Sequence, residues 1–518
     1  MTWGSVTDFG DEAWEITRQG QTARYLNIAA RNMLQLPNSR EAELRHLTPR
    51  ASEHPAPPLV GNRQASNAFR NPPRVLTSLH HCGSIPTDLF PTDLFRIDEW
   101  WDMPTRKLRM ALGNWVDGDR FWGRDTDLEL FMSRIDSGAH QLLSAQRRMG
   151  KTSLMKEAAR RLEGRYLSVF VDLQKSASVP DAIVEVSLAV HPHKPLWRKL
   201  GGVFGGVFDR VRDNVDSVNL GEIGISLRAD VAGEWQRKGD QLLNVLAASD
   251  SPVLLLVDEA PILVNRILKG SDYRITPERR EQADLFLSWL RDNSVRHQGK
   301  IRMVLSGSIG LEPVLRQGHL SATLNNFEPF ELQPWDKDTT CGCLEALAAQ
   351  YDLQFETGVP AQMVEMLGCC IPHHVQMFFR HAHDWCARRH QEAITAADVE
   401  TIYTRELLSI RGHAELTHYE ERLKMVLGDD IFPLALELLT EAAVVGLLTA
   451  ESTRVAVQGY EFTSLSASEA QRQVLEVLEH DGYLERTENA YRFVSKLLRD
   501  WWKARYEFGY TPIAQRGT

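Results

Sequence analysis

The chain has 518 residues, 43% of them hydrophobic and 25% charged, with a formal net charge of −10 and a pI near 6.0. That length accommodates three or four domains with ordinary cores, and the negative balance gives no global attraction to nucleic acid or acidic membranes. Six cysteines without a secreted disulfide pattern, no unbroken apolar stretch of 18 residues, and an amino terminus "MTWGSVTDFGDEAW" lacking a basic start and apolar core read as a cytoplasmic protein without signal peptide or membrane span.

In chain order, residues 1–104 differ from the rest, broken by "HPAPPLVGNRQASNAFRNPPR" and carrying a tandem "PTDLFPTDLF" at 86–95. This region reads as irregular or tail-like, and the doubled pentamer as a linker duplication more readily than a docking motif. Ordered sequence begins near "RKLRMALGNW" and the turn "DGDRFWGRDTDLELF". "HQLLSA" reads as a buried strand and "SLMKEAARRLEG" as an amphipathic helix. Between them, "SAQRRMGKTS" (144–153) matches the phosphate-cradling loop G-x-x-x-x-G-K-[ST] except for Ala145 at the first glycine. In such a loop backbone N–H groups and the helix N-terminus surround phosphates, Lys151 supplies a charge to the β- and γ-phosphates, and the Thr152 hydroxyl ligates Mg²⁺. Gln146, Arg147, Arg148, Met149, Gly150 and Ser153 complete the cradle. Alanine fits the first position if its φ is negative. The competing reading is a strand-turn-helix with a solvated lysine.

"YLSVFVDLQ" is a second strand and "VPDAIVEVSLAV" a helix, and the span 200–235, with "GGVFGGVF" and "LGEIGISLRADV", reads as a glycine-rich insertion carrying a short hairpin. After the helix "EWQRKGDQLLNVLAAS", "SPVLLLVDEAP" (251–261) is a central parallel strand ending in Asp258 and Glu259. Asp258 there holds the Mg²⁺ shell and Glu259 polarises the attacking water. The strand "IRMVLSGSIG" (301–310), behind the helix "PERREQADLFLSWLRDN", ends in Ser306 and Ser308, both candidate donors to the γ-phosphate or the water. Strands alternating with helices predict a parallel sheet covered on both faces, with ligands at the carboxyl ends.

Beyond "FEPFELQPW" helices take over. "TTCGCLEALAAQYDL", "PAQMVEMLG", "PHHVQMFFRHAHDWCARRH" and "TAADVETIYTRELL" form a four-helix unit, and from about 411 "DDIFPLALELLTEAAVVG" and "SASEAQRQVLEVLEHDG" precede two short strands in "YLERTENAYRFV", the outline of a winged helix closed by "SKLLRDWWKARY". The expected architecture is thus α/β: residues 1–104 uncharacterised, a P-loop NTPase core over 105–335, an α-helical lid over 336–410 and a winged-helix-like domain over 411–518.

The cluster Cys369, Cys370, His373, His374, His381, His383 and Cys386 lacks paired C-x₂₋₄-C knuckles, and His381 and His383 at i, i+2 point to different helix faces, so core cysteines and surface histidines explain it better than zinc. The "HHCG" at 80–83 is weaker still. In residues 468–506 seven basic residues (Arg472, Arg486, Arg492, Lys496, Arg499, Lys503, Arg505) face seven acids (Glu469, Glu476, Glu479, Asp481, Glu485, Glu488, Asp500), a net of 7 − 7 = 0. Duplex affinity grows with phosphates neutralised, so DNA is a possible but not favoured partner, and a protein partner or self-association through this domain is preferred.

Taken together, "FWGRDTDLE", "AQRRMGKTSL", "LLLVDEAP", "VLSGSIG", "IPHHVQ" and "YRFVSKLLRDWW", in this order, resemble the archaeal-type P-loop ATPases of the signal-transducing STAND group among the AAA+ relatives, over roughly residues 118–506. The resemblance implies ATP and Mg²⁺ as cofactors, Gly123 and Arg124 near the adenine or ribose, Lys151 and Thr152 at the phosphates and Mg²⁺, Asp258 on Mg²⁺, Glu259 at the water, and Pro372 where the lid meets the nucleotide. The glycine of the family's G-x-P motif is Cys370 here, and Arg316 is the nearest candidate for an arginine finger, although an exposed helix arginine is the commoner reading. The expected function is an ATP-binding, slowly hydrolysing switch whose nucleotide, held between core and lid, controls the C-terminal domain; the alternative is a DNA-associated regulator using ATP as a structural ligand.

Overall fold

The computed structural model describes residues 5–8, 13–18, 21–26, 108–204, 220–463 and 465–516. The doubled "PTDLF", the "HHCG" stretch and residues 205–219 of the expected insertion lie outside the described residues. The chain divides into two compact units, Met1–Glu99 and Trp100–Thr518. In the first, β1 (Ser5–Asp8), β2 (Ala13–Arg18) and β3 (Gln21–Leu26) form an antiparallel sheet in the order β1-β2-β3. The reading of 1–104 as irregular is therefore corrected over this stretch: "AWEITR" alternates Trp14 and Ile16 with Glu15 and Thr17, the period of a strand, within a region otherwise dominated by proline and polar residues.

The second unit is built on five parallel strands, β4 (His140–Ser144), β5 (Leu167–Asp172), β6 (Val253–Asp258), β7 (Ile301–Ser306) and β8 (Phe327–Glu331), in the spatial order β5-β6-β7-β4-β8. All six residues of β6 are buried, as a strand covered on both faces requires. Its alternate side chains part cleanly: Val253, Leu255 and Val257 pack with the helices Val179–Ala189, Trp235–Ala247, Ala260–Lys269 and Pro277–Arg296, while Leu254 and Leu256 pack with Asp125–Ser137 and Lys151–Arg161. The chain therefore has the α/β architecture expected of a P-loop NTPase core, and the carboxyl ends of β4, β6 and β7 meet along one edge.

Between β5 and β6 the chain adds the helices Lys194–Phe204 and Leu220–Val231. Over "LGEIGISLRADV" the hairpin expected within 200–235 is thus corrected to a helix; Gly221 and Gly224, three positions apart, mimic turn punctuation, but Leu227 and Val231 are buried at helical spacing.

After β8 come the helices Lys337–Gln350, Val359–Leu367, Pro372–Arg389 and Ala396–Ile402, joined by the two-residue strands β9 (Gln354–Phe355) and β10 (Ala393–Ile394). A long helical span, Ile410–Val445, is broken at Gly428, whose φ of 76° and ψ of 174° no helix contains. Just before the break the core takes hold of it: Asn265 Nδ2 donates to the Met425 carbonyl at 3.3 Å and the buried Lys269 amine to that of Val426. Then follow β11 (Leu448–Thr449), the helices Ala450–Gln458 and Ala467–His480, and β12 (Leu484–Arg486) with β13 (Ala490–Phe493), a three-stranded antiparallel sheet in the order β11-β13-β12. The closing helix Lys496–Tyr506 buries Trp501 and Trp502 against the second half of the long span, where Trp502 Nε1 donates to Thr440 Oγ1 at 3.3 Å.

Candidate functional site

The local structure follows from β4 ending at Ser144 and the helix Lys151–Arg161 starting at Lys151, which leave the loop 145–150 between a buried strand and a helix N-terminus. Gly150 at φ 95° and Arg148 at φ 68° turn the chain through the left-handed region, and a side chain on Gly150 would find open space yet remain strained by its φ. Ala145 is not among the positive-φ residues and packs against the core beneath the loop, so a methyl group fits at the strand exit.

The Lys151 amine is largely buried, and burial pushes its pKa down to about 8 despite Glu259, Asp258 and Asp481 nearby. It donates to the carbonyls of Ala145 at 2.7 Å and Gln146 at 3.1 Å. Thr152 Oγ1 donates to Asp258 Oδ2 at 2.7 Å, and Asp258 Oδ1 accepts the Glu259 N–H at 3.0 Å. Burial raises the Asp258 pKa, opposed by the Thr152 hydrogen bond. Glu259 sits at φ 60° at the head of the helix Ala260–Lys269, and its Oε2 accepts both the N–H and the hydroxyl of Ser308, each at 2.8 Å. Ser306, at the end of β7, is wholly buried and its hydroxyl has no hydrogen-bond partner among the described residues.

Lys151, Thr152, Asp258, Glu259 and Ser308 line a cleft of about 580 Å³ with three main walls. The α/β core contributes Arg124, Arg147, Arg148, Met149, Gly150, Lys151, Thr152, Ser153, Asp258, Glu259 and Ser308, and the helix Pro372–Arg389 contributes Pro372, His373 and Gln376. The third wall, Ala111 to Val116, is tied across the opening by backbone N–H groups: Ala111 to Gln376 Oε1 at 2.7 Å and Val116 to Ser153 Oγ at 3.0 Å.

Two of the expected residues lie outside the cleft lining. Gly123 does not line the cleft; a Cβ there would lie 2.3 Å from Thr339 Cγ2, so this glycine serves the close approach of its loop to the first lid helix. Gln146 is absent from the lining too: its side chain lies against Gly482, where a Cβ would sit 2.0 Å from Gln146 Nε2. Two other residues line the cleft in a different manner from that expected. Arg124 spends its donors on protein, to Asp127 Oδ2 at 2.9 Å and the carbonyls of Gln333 at 2.6 Å and Met149 at 3.2 Å. Met149 turns its side chain into the core.

Sequence reasoning missed several residues here. Arg422, from the long helical span, lines the cleft beside Arg147, whose pKa burial lowers to about 10, with Arg422 and Arg148 adding repulsion. Tyr419, also buried, donates to the Arg147 carbonyl at 3.5 Å and meets His374 Nε2 at 3.3 Å. Burial and the neighbouring arginines hold His373, His374 and His418 neutral, with pKa values of about 2, 3 and 2. No signal short of a contact could have placed residues 419 and 422 beside a loop more than 250 positions earlier.

The donor set fits a nucleoside triphosphate with a hard divalent cation. Thr152 Oγ1 and Asp258 Oδ2 are adjacent oxygens that could serve a cation, and the Nε atoms of Arg147 and Arg148 are buried without hydrogen-bond partners beside the loop. Among the described residues no group of three or more His, Cys, Asp and Glu is arranged to hold a metal ion, and no helix is long and apolar enough to cross a membrane.

No protein-family model matches the sequence, and no curated protein is similar to it. Solved structures are. A Walker-type ATPase of Pyrococcus abyssi superposes with a TM-score of 0.52 at 16% identity, covering 76% of this chain and 99% of that one. The ORC2 protein of Aeropyrum pernix, in ADPNP and ADP complexes, gives a TM-score of 0.42 at 13% identity over 78% of this chain and 98% of its own. The RuvB branch-migration motor of Thermotoga maritima gives 0.36 at 14% identity over 75% and 95%. With the strand order and the loop-helix junction of the site, the first of these likenesses establishes the fold: the chain is built as a P-loop NTPase.

Proposed function

We propose that the protein binds and slowly hydrolyses ATP, and that nucleotide held between core and lid sets the position of the C-terminal domain. The observation that carries this reading is the single cleft in which Lys151, Thr152, Asp258 and Glu259 meet Pro372 of the lid and Arg422 of the span leading to that domain. The domain limits proposed are 105–335 for the core, 336–410 for the lid and 411–518 for a winged-helix-like unit; the helix-helix-hairpin order over 450–493 supports the last.

In this reading the loop amides and Lys151 bind the β- and γ-phosphates, while Arg147 and Arg148 add charge on the same side. Thr152 and Asp258 hold Mg²⁺, which when bound neutralises phosphate charge. Glu259 orients water and takes its proton. Ala111 to Val116 and Pro372 close over the base and sugar.

The DNA-associated alternative gains no support from the surface it would use. The helix Ala467–His480 faces the core, with Glu476 paired to Arg316 at 3.3 Å, so the same contact occupies both the would-be reading helix and the candidate finger. The deciding experiment is nucleotide content and mass in solution with and without ATP, alongside filter binding of labelled duplex across a salt series. Bound nucleotide with no steep negative salt slope is expected; a steep slope without nucleotide would favour the regulator.

The loop geometry adds a further expectation. Ala145→Gly should change nucleotide affinity by less than roughly tenfold, about 1.4 kcal/mol, since Ala145 offers the ligand no more than its backbone. A gain of a hundredfold in titration calorimetry would mean that the alanine distorts the cradle.

A further inference from the structure

The short loop that follows β7, "GSIG" at 307–310, is fastened at three points. At its start a Cβ on Gly307 would lie 2.5 Å from Pro261 Cδ, so the loop lies hard against the helix headed by Glu259. At Ser308 both available donors go to Glu259 Oε2. At its end the Gly310 N–H donates to Asp481 Oδ1 at 2.9 Å, and a Cβ there would lie 2.2 Å from His480 Nδ1. Asp481 is 13% exposed, its Oδ1 also 3.4 Å from His480 Nδ1. It belongs to the turn between the helix Ala467–His480 and β12, and the same turn places Gly482 on Gln146 of the phosphate loop and the Tyr483 hydroxyl on the Tyr419 carbonyl at 2.7 Å.

Resting on the ATPase reading above, we propose that Asp481 is a positioning residue for Glu259, acting through the loop 307–310. While the C-terminal domain is docked, Asp481 fixes Gly310, and Ser308 two residues earlier stays bonded to Glu259. In that arrangement the base and the Ser308 donors satisfy each other, and neither is directed at water or a phosphate. Undocking removes the acceptor at Gly310, loosens the loop and frees both. The position of the C-terminal domain therefore sets the hydrolysis rate as well as reporting the nucleotide state.

Asp481 also lies within electrostatic reach of Lys151, so loss of its charge alone would alter phosphate affinity. Two variants of the full chain separate these effects. Asp481→Asn keeps an Oδ1 acceptor for the Gly310 N–H but removes the charge; Asp481→Ala removes both. Dissociation constants for ATP are expected to shift equally in the two variants. Single-turnover hydrolysis is expected to rise roughly tenfold in Asp481→Ala, the order set by one charge-assisted hydrogen bond, and to stay within about twofold of the parent in Asp481→Asn. ATP binding by Asp481→Ala also shows that the variant is folded. An unchanged or lower rate in Asp481→Ala, or equal rates in the two variants, would overturn the relay while leaving the ATPase reading intact. Absence of ATP binding by the parent protein would overturn the reading itself.

Discussion

Replacing Lys151 by alanine is expected to weaken ATP binding by at least ~100-fold, about 2.7 kcal/mol, as the loss of a buried point charge on two phosphates requires. Arg147 and Arg148 share the cleft, but Lys151 opens the helix Lys151–Arg161, whose N-terminus would face the phosphates in the proposed mode of binding. Its amine donates to the carbonyls of Ala145 and Gln146, which hold it at the mouth of the cradle. Since burial already lowers the Lys151 pKa to about 8, its charge is costly to the ligand-free protein, and anionic phosphates recover that cost on binding. Removing the amine should therefore leave the fold close to its original melting temperature while affinity collapses in titration calorimetry. Unchanged affinity would refute the assignment of the site.

Much of this site was legible because its chemistry is local. Gly150, Lys151 and Thr152 are consecutive, Asp258 and Glu259 end an apolar run whose six strand residues are all buried, and the register places these ends on one sheet edge. A motif fixes backbone neighbours, however, and not the direction of each side chain. Gln146 sits inside the loop yet turns to Gly482, and Gly123 sits beside it yet packs on Thr339. The helices Lys194–Phe204 and Leu220–Val231 escaped because closely spaced glycines read as turns, while burial of residues such as Trp197 and Leu200 against the core outweighs that local preference. Tyr419, Arg422 and Asp481 were illegible for a different reason. Each is an ordinary helix or turn residue until the chain folds back over the loop, and charge counting even treated Asp481 as one more acid in a neutral domain. The same folding back gives the acidic helix Ala467–His480 and the turn after it contacts that their composition alone did not suggest, since Glu476 meets Arg316 and Asp481 meets Gly310.

Glu259→Gln is expected to leave ATP bound and to lower turnover by at least ~100-fold, the usual worth of a positioned base. The substitution is close to isosteric, and the glutamine amide oxygen can accept the two donors of Ser308 that now reach Glu259 Oε2, so the loop 307–310 and the cleft should keep their shape. Lys151, Thr152 and Asp258, the groups that hold the phosphates and the cation in the proposed mechanism, are untouched, which predicts an ATP dissociation constant within a few-fold of the parent. What the amide lacks is a site for the proton of the attacking water. The loss should therefore appear in the single-turnover rate and not in binding, and it should persist when Glu259→Gln is combined with Asp481→Ala, because a freed loop cannot restore a missing base. Turnover equal to the parent's would move the base to another residue or identify the activity as a contaminant, and a rate restored by Asp481→Ala in the absence of the carboxylate would separate the C-terminal contact from Glu259 altogether.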